Sequence, residues 1–115
     1  MVSHKDLKVW QESMNLVVEI YQVSQQFPKE ELYALTSQMK RSAISIPSNI
    51  AEGAGRKGKA EYCTFLFIAL GSASELETQI EIAYRLNFIN DITDLESKIR
   101  FIKNMLSKLI KNLDS

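Results

Sequence analysis

The chain has 115 residues, 45% of them hydrophobic and 24% charged, with four glycines and two prolines, a balance that fits one ordinary globular domain over 1–115 and excludes a disordered or repeat-built chain. Lysine plus arginine and aspartate plus glutamate each number 14, so the overall charge argues for neither nucleic acid nor membrane as a partner. One cysteine, Cys63, excludes an intramolecular disulfide, and the longest apolar run, Phe65 to Leu70, is far below the ~20 residues that cross a bilayer, so a cytoplasmic protein without a membrane partner is expected.

The first element is an amphipathic helix from about Asp6, a plausible N-cap, to Gln26, because Leu7, Trp10, Met14, Val17 and Tyr21 recur at 3–4 spacing. A second stripe of Leu16, Ile20, Val23 and Phe27 widens the apolar face, which predicts burial on two sides. The second helix is expected from Pro28–Glu31 to about Glu52. Proline suits a first turn, and Glu30 and Glu31 suit the positive helix end. Pro47 falls inside its pattern of Leu35, Met39, Ala43, Ile46 and Ile50, so this helix is expected to be kinked there. Gly53-Ala54-Gly55 should end it through a left-handed glycine cap.

A long third helix follows, from about Lys59 to Leu86, with Tyr62, Leu66, Ala69, Ala73, Leu76, Ile80 and Ala83 at heptad spacing. Its first half is apolar nearly all round, the mark of burial on more than one side, and Gly71-Ser72-Ala73-Ser74 offers a close approach to a neighbour. After a turn at Asn87–Asp91, Thr93 and Glu96 have capping-box spacing at the head of a fourth helix. Ile92, Leu95, Ile99, Ile102, Leu106, Leu109 and Leu113 carry that helix to the C-terminus. The fold predicted is all-α, an antiparallel up-down-up-down four-helix bundle, because the connections are short and no β-alternation occurs.

Three linear signatures, DLKVWQ, FPKEELYALTSQMKRSAISIPSNIAEGAGR and FLFIALGSASELETQIEIAYRLNFI, resemble the bacterial four-helix-bundle protein family encoded in 23S ribosomal RNA intervening sequences. The resemblance spans about Asp6 to Ile89, and the fourth helix matches only in pattern. It implies an up-and-down bundle, assembly as a homopentamer and no enzymatic activity. It also implies similarity to accessory proteins of diversity-generating retroelements, and with it contact with nucleic acid and a reverse transcriptase. Where members often carry two arginines this chain has Lys40-Arg41, which keeps the charge but loses one bidentate phosphate fork.

Charge is unevenly spread, and the unevenness names the candidate site. Residues 40–59 hold Lys40, Arg41, Arg56, Lys57 and Lys59 against Glu52, whereas 61–96 hold seven acids against Arg85, and 98–111 hold five basic residues and no acid. Lys40, Arg41, Arg56, Lys57 and Lys59 are the candidate nucleic-acid-binding residues, since phosphate recognition needs cations that converge on a backbone. The competing reading makes them solvated cations, with Arg41 tied to a carboxylate such as Glu75. The basic run Lys98, Arg100, Lys103, Lys108 and Lys111 reads as a solvated face near a helix C-terminus. Phe101 and Met105, off the heptad, read as an inter-subunit contact.

Ser72, Glu75 and Gln79 form a polar stripe on helix three that needs partners in Arg41, Asn49 or another subunit. Glu75, Glu77 and Glu81 lack the Glu-x-x-His of a di-metal bundle, and the one histidine, His4, precedes helix one. Cys63 sits in apolar sequence with no histidine in its helix, which disfavours a nucleophile. Gly53-Ala54-Gly55 lacks the strand and third glycine of a dinucleotide cradle. The sequence therefore points to a non-enzymatic, self-assembling protein without metal or cofactor that binds RNA or DNA. The alternative is a scaffold for a protein such as a reverse transcriptase, without nucleic-acid contact.

Overall fold

The computed structural model describes residues 3–114. Four helices account for most of them: α1 Lys8–Ser24, α2 Leu35–Ala54, α3 Lys59–Arg85 and α4 Thr93–Asp114. Each helix touches its two neighbours in the order α1, α2, α3, α4 and back to α1, while the diagonal pairs do not meet among the described residues. Directions follow from which residues pair. Tyr21 meets Lys40 whereas Trp10 shares a groove with Ala51. Ser45 bonds Ser72 whereas Gly53 faces Tyr62, and Glu77 meets Lys103 whereas Cys63 meets Asp114. Adjacent helices are therefore antiparallel, as the short connections predict.

The core is the set of apolar stripes these helices turn inward. Leu16 and Ile20 of α1, Met39, Ala43, Ile46 and Ile50 of α2, Leu66, Ala69, Ala73, Leu76 and Ile80 of α3, and Ile99, Ile102 and Leu106 of α4 are all at most 1% exposed. Complete burial of each large side chain contributes roughly 1.5–3 kcal/mol. On α1 the deeper stripe is Leu16 and Ile20, continued by Phe27 just beyond the helix, and Met14 and Tyr21 of the first stripe stay partly outside. Phe27 then packs on Phe88 at 5.6 Å and closes one end of the bundle.

Several element ends differ from expectation. Asp6 does not cap α1; it lies in a short 3-10 turn, His4–Asp6, capped by the Ser3 hydroxyl, and α1 follows Leu7 without a side-chain cap. Lys29–Glu31, preceded by Pro28 at the cap, forms a second 3-10 turn, and α2 starts only at Leu35. Leu32, Tyr33 and Ala34 are exposed, so nothing apolar holds that stretch against the bundle, and Ala34 leaves helical geometry. Pro47 is buried inside α2, which runs through it even though the missing N–H leaves the Ala43 carbonyl without its helical donor.

No glycine takes a left-handed conformation. Gly55 ends α2 at φ −85° and ψ −4°, and among the described residues the one with positive φ is Asn87 at 66°. There the Phe88 N–H reaches the Ala83 carbonyl at 2.9 Å and satisfies the end of α3. Gly53 matters for a different reason, because a Cβ on it would lie 2.9 Å from the Phe65 Cβ and 3.0 Å from Tyr62. It marks a close approach between α2 and α3. Gly71, expected to serve such an approach, faces open space. Thr93 is the first residue of α4 rather than its cap, and the Asp91 carboxylate accepts the Thr93 N–H at 2.9 Å.

Candidate nucleic-acid interface

The five candidate cations fall into two groups at opposite ends of α2. Arg41 and Arg56 are fifteen residues apart, roughly 22 Å along a helix rising 1.5 Å per residue, so one phosphate cannot touch both. The sequence excess over 40–59 is thus two separate groups of cations and not one.

At the Arg56 end much of the charge is already committed. The Arg56 guanidinium lies 3.1 Å from Glu52, one turn earlier on α2, and 3.6 Å from Glu61 at the start of α3, and it covers the Phe65 ring at 4.8 Å. These contacts strap the α2–α3 connection beside Gly53. Lys57 and Lys59 are exposed and have no carboxylate in ion-pair reach among the described residues.

At the other end, Lys40 is half-buried with its ammonium 4.6 Å from the Tyr21 ring centroid, a contact of roughly 0.5–1 kcal/mol that also fixes where the cation points. Arg41 is exposed and does not pair with Glu75, although both border a cleft of about 350 Å³ with Gln38, Ser42 and Gln79. Tyr33, which the periodicity of the sequence gives no reason to single out, is 92% exposed in the segment leading into this end of α2. An exposed aromatic ring is a surface on which unstacked bases can stack.

The basic run of α4 is partly structural. Lys98 binds Glu19 of α1 and, at 2.9 Å, Asp94; its ammonium is held above the usual lysine range first by the hydrogen bond to Glu19 and then by that to Asp94. Lys103 reaches Glu77 of α3 at 3.2 Å. Arg100 and Lys108 remain exposed.

The polar stripe of α3 is only partly satisfied. Ser72 and Ser45 share a 2.7 Å hydrogen bond, and the Asn49 amide donates to the Ser45 hydroxyl at 2.9 Å, so α2 and α3 are registered by a small network. Gln79 differs, because its Oε1 is buried and has no donor. Cys63 is 8% exposed and hydrogen-bonds the Asp114 carboxylate at 3.6 Å. Desolvation first, then the Asp114 charge, pushes its thiol up. His4 stands edge-on to Trp10 at 5.3 Å.

The linear motifs, the four antiparallel helices and a family-model match over residues 5–108 agree. The chain belongs to the 23S rRNA-intervening sequence protein family. A solved structure described as a protein with unknown function from the S23 ribosomal protein family, from Bacteroides thetaiotaomicron VPI-5482, superposes with a TM-score of 0.82. The two are 26% identical, and the match covers 90% of this chain and 95% of that one. None of the curated proteins matches the chain by sequence. No helix of the described residues is long and apolar enough to cross a membrane.

Proposed function

We propose that this chain is a non-enzymatic, self-assembling helical bundle, homopentameric, that holds RNA or DNA backbones through its basic groups. The observation that carries the reading is that Arg41, Lys57 and Lys59 are exposed and carry no carboxylate partner among the described residues, so their charge is free for phosphate. Lys40, held over Tyr21, adds a fixed cation next to Arg41 in the chain, and the exposed ring of Tyr33, in the segment leading into α2, adds a stacking surface. Membership of a family named for 23S rRNA intervening sequences favours RNA as the first ligand to try. Assembly matters because several copies of a weak site act as one strong site when linked.

Against catalysis stands the state of the one thiol, since a protonated, buried Cys63 is a poor nucleophile. A second reading is a scaffold for a protein partner such as a reverse transcriptase. It is favoured by the apolar groove of about 380 Å³ between α1 and α2, lined by Trp10, Met14, Val17, Ile44 and Pro47. Fluorescence anisotropy with a single-stranded RNA at low salt separates the two. Binding that weakens when Lys40, Arg41, Lys57 and Lys59 become alanine is expected; no binding at low salt would favour the scaffold.

A further inference from the structure

The outer face of α3 is unfinished as a surface. Ile68, Ile82 and Leu86 are 46%, 42% and 52% exposed, and Gly71 among them faces open space. At 3.6 residues per turn Ile68, Gly71, Glu75 and Ile82 lie within about 60° of one another. Gln79 borders this stripe on the α2 side. It is 9% exposed, its Oε1 has no hydrogen-bond donor, and it lines both clefts of the face, one with Gln38, Arg41 and Ser42, the other with Gly71, Thr78 and Ile82. Buried acceptors are rarely left so. Glu75, exposed beside it, has no cation in ion-pair reach among the described residues. An occupant that satisfies this face must bring an N–H donor, a cation and apolar groups.

The same chain carries that set on α4. Phe101, 46% exposed, lines a groove of about 490 Å³ with Asn104, Met105 and Lys108. Phe101, Met105 and Lys108, at i, i+4 and i+7, form one stripe. Lys108 is exposed without a carboxylate partner among the described residues. The two surfaces lie on opposite sides of the bundle. Gln79 shares its cleft with α2, whereas Phe101 and Met105 follow Lys98, at i+3 and i+7, on the side of α4 that reaches α1 through Glu19. Lys103, on the other side of α4, is the residue that reaches α3. The acidic bias of 61–96 and the basic bias of 98–111 give the two faces opposite sign.

Resting on the self-assembly proposed above, we infer that the α3 face around Glu75, Gln79 and Ile82 docks the α4 face of a second copy of this chain, through its Phe101, Asn104, Met105 and Lys108. Copies then join head to tail. Because the two patches differ and lie on opposite sides, the contact is heterologous, the kind that continues into a ring or a filament rather than stopping at a two-fold dimer. Asn104 is the donor that Gln79 Oε1 lacks within one chain, Lys108 is the counter-charge for Glu75, and Phe101 and Met105 cover Ile82, the register in which the two helices run antiparallel. Arg41 stays at the α2 rim of the cleft, where its five N–H donors can serve the interface and a phosphate together.

Light scattering on the full chain and two variants tests the inference. Ile82→Asp blocks the α3 face and Phe101→Asp the α4 face; both residues are partly exposed, and circular dichroism checks that each variant folds. Each variant alone is expected to be monomeric, and their mixture to give a one-to-one dimer, since each keeps one good face. If the unmodified chain is monomeric at its highest soluble concentration, self-assembly and this interface both fall. If it assembles and the variants assemble equally well, only the interface falls. If the mixture gives no dimer, the head-to-tail arrangement falls. Gln79→Met adds a readout with opposite signs, raising the melting temperature of the Ile82→Asp monomer while weakening assembly of the otherwise unmodified chain. Assembly unchanged by Gln79→Met would overturn the role of its carbonyl.

Discussion

The two ends of α2 carry similar residues and are in different states. At the C-terminal end Gly53 lets α2 press against Tyr62 and Phe65, and Arg56 binds Glu52, Glu61 and the Phe65 ring. That end is closed. At the N-terminal end Arg41 and Glu75 border one cleft without pairing, Gln79 buries an oxygen with no donor, and Tyr33 stands in solvent. That end is open, and its unmet chemistry is what a partner can use. A count of cations along the sequence treats the ends alike; the ion pairs separate them.

The sharpest way to break the comparison is at the glycines. Gly53→Val should destabilise the bundle by about 2–3 kcal/mol, because the added carbons collide with Phe65 and the Tyr62 backbone. Gly71→Ala should do the reverse, raising stability of the isolated chain by about 0.5–1 kcal/mol through helix propensity alone, since nothing lies within 4 Å of its Cβ position. Urea denaturation measures both, and equal effects would erase the distinction between a closed and an open face.

The arginines give a smaller contrast. Arg56→Ala should cost roughly 0.5–1 kcal/mol, discounted because the paired side chains are 42%, 54% and 60% exposed. Arg41→Ala should leave stability within about 0.5 kcal/mol. A large loss in the Arg41 variant would mean the open end is structural too.

The smallest effects are in pH. Lys98 is raised above its unfolded value, so its contribution is fully present below the unfolded lysine pKa and is lost as pH climbs through the raised folded value. Asp91 is lowered, first by the backbone hydrogen bond from Thr93, so its contribution is present above the unfolded carboxylate pKa and is lost as pH falls through the folded value. Lys98→Met should flatten the alkaline side of a melting-temperature profile and Asp91→Asn the acid side, each leaving the other side unchanged.

Much of this fold was legible because periodicity is a backbone property. The heptad of α3 from Leu66 to Ala83 and the Ile92–Leu106 stripe of α4 lie where the sequence places them, buried, with Tyr62 at the head of the heptad only partly so. What was not legible depended on how elements meet. The start of α2 slipped from Pro28 to Leu35 because a proline fits the first turn of a 3-10 segment as well as that of a helix, and exposure of Leu32 and Tyr33 decided between them. The role of Gly53 needed the position of Phe65, and Gly71 looked like its equivalent until both surroundings were known. Half of the Arg56 strap could have been read, since Glu52 is four residues before it; Glu61 needed the geometry of the turn. Ser72 was expected to meet Arg41, Asn49 or another subunit and instead bonds Ser45, which holds Asn49 one turn on, and the isolation of Gln79 Oε1 had no sequence signal.

The proposed nucleic-acid binding depends above all on free charge being confined to particular cations, and the salt dependence of RNA binding tests this directly. Plotted as log affinity against log salt, the slope for a single-stranded RNA should shrink by about 0.7 for each phosphate that is no longer neutralised. Arg41→Ala should show such a change, while Arg56→Ala, whose charge is already held by Glu52 and Glu61, should leave the slope near that of the unmodified chain. Equal changes in the two variants, or no RNA binding at low salt, would contradict it.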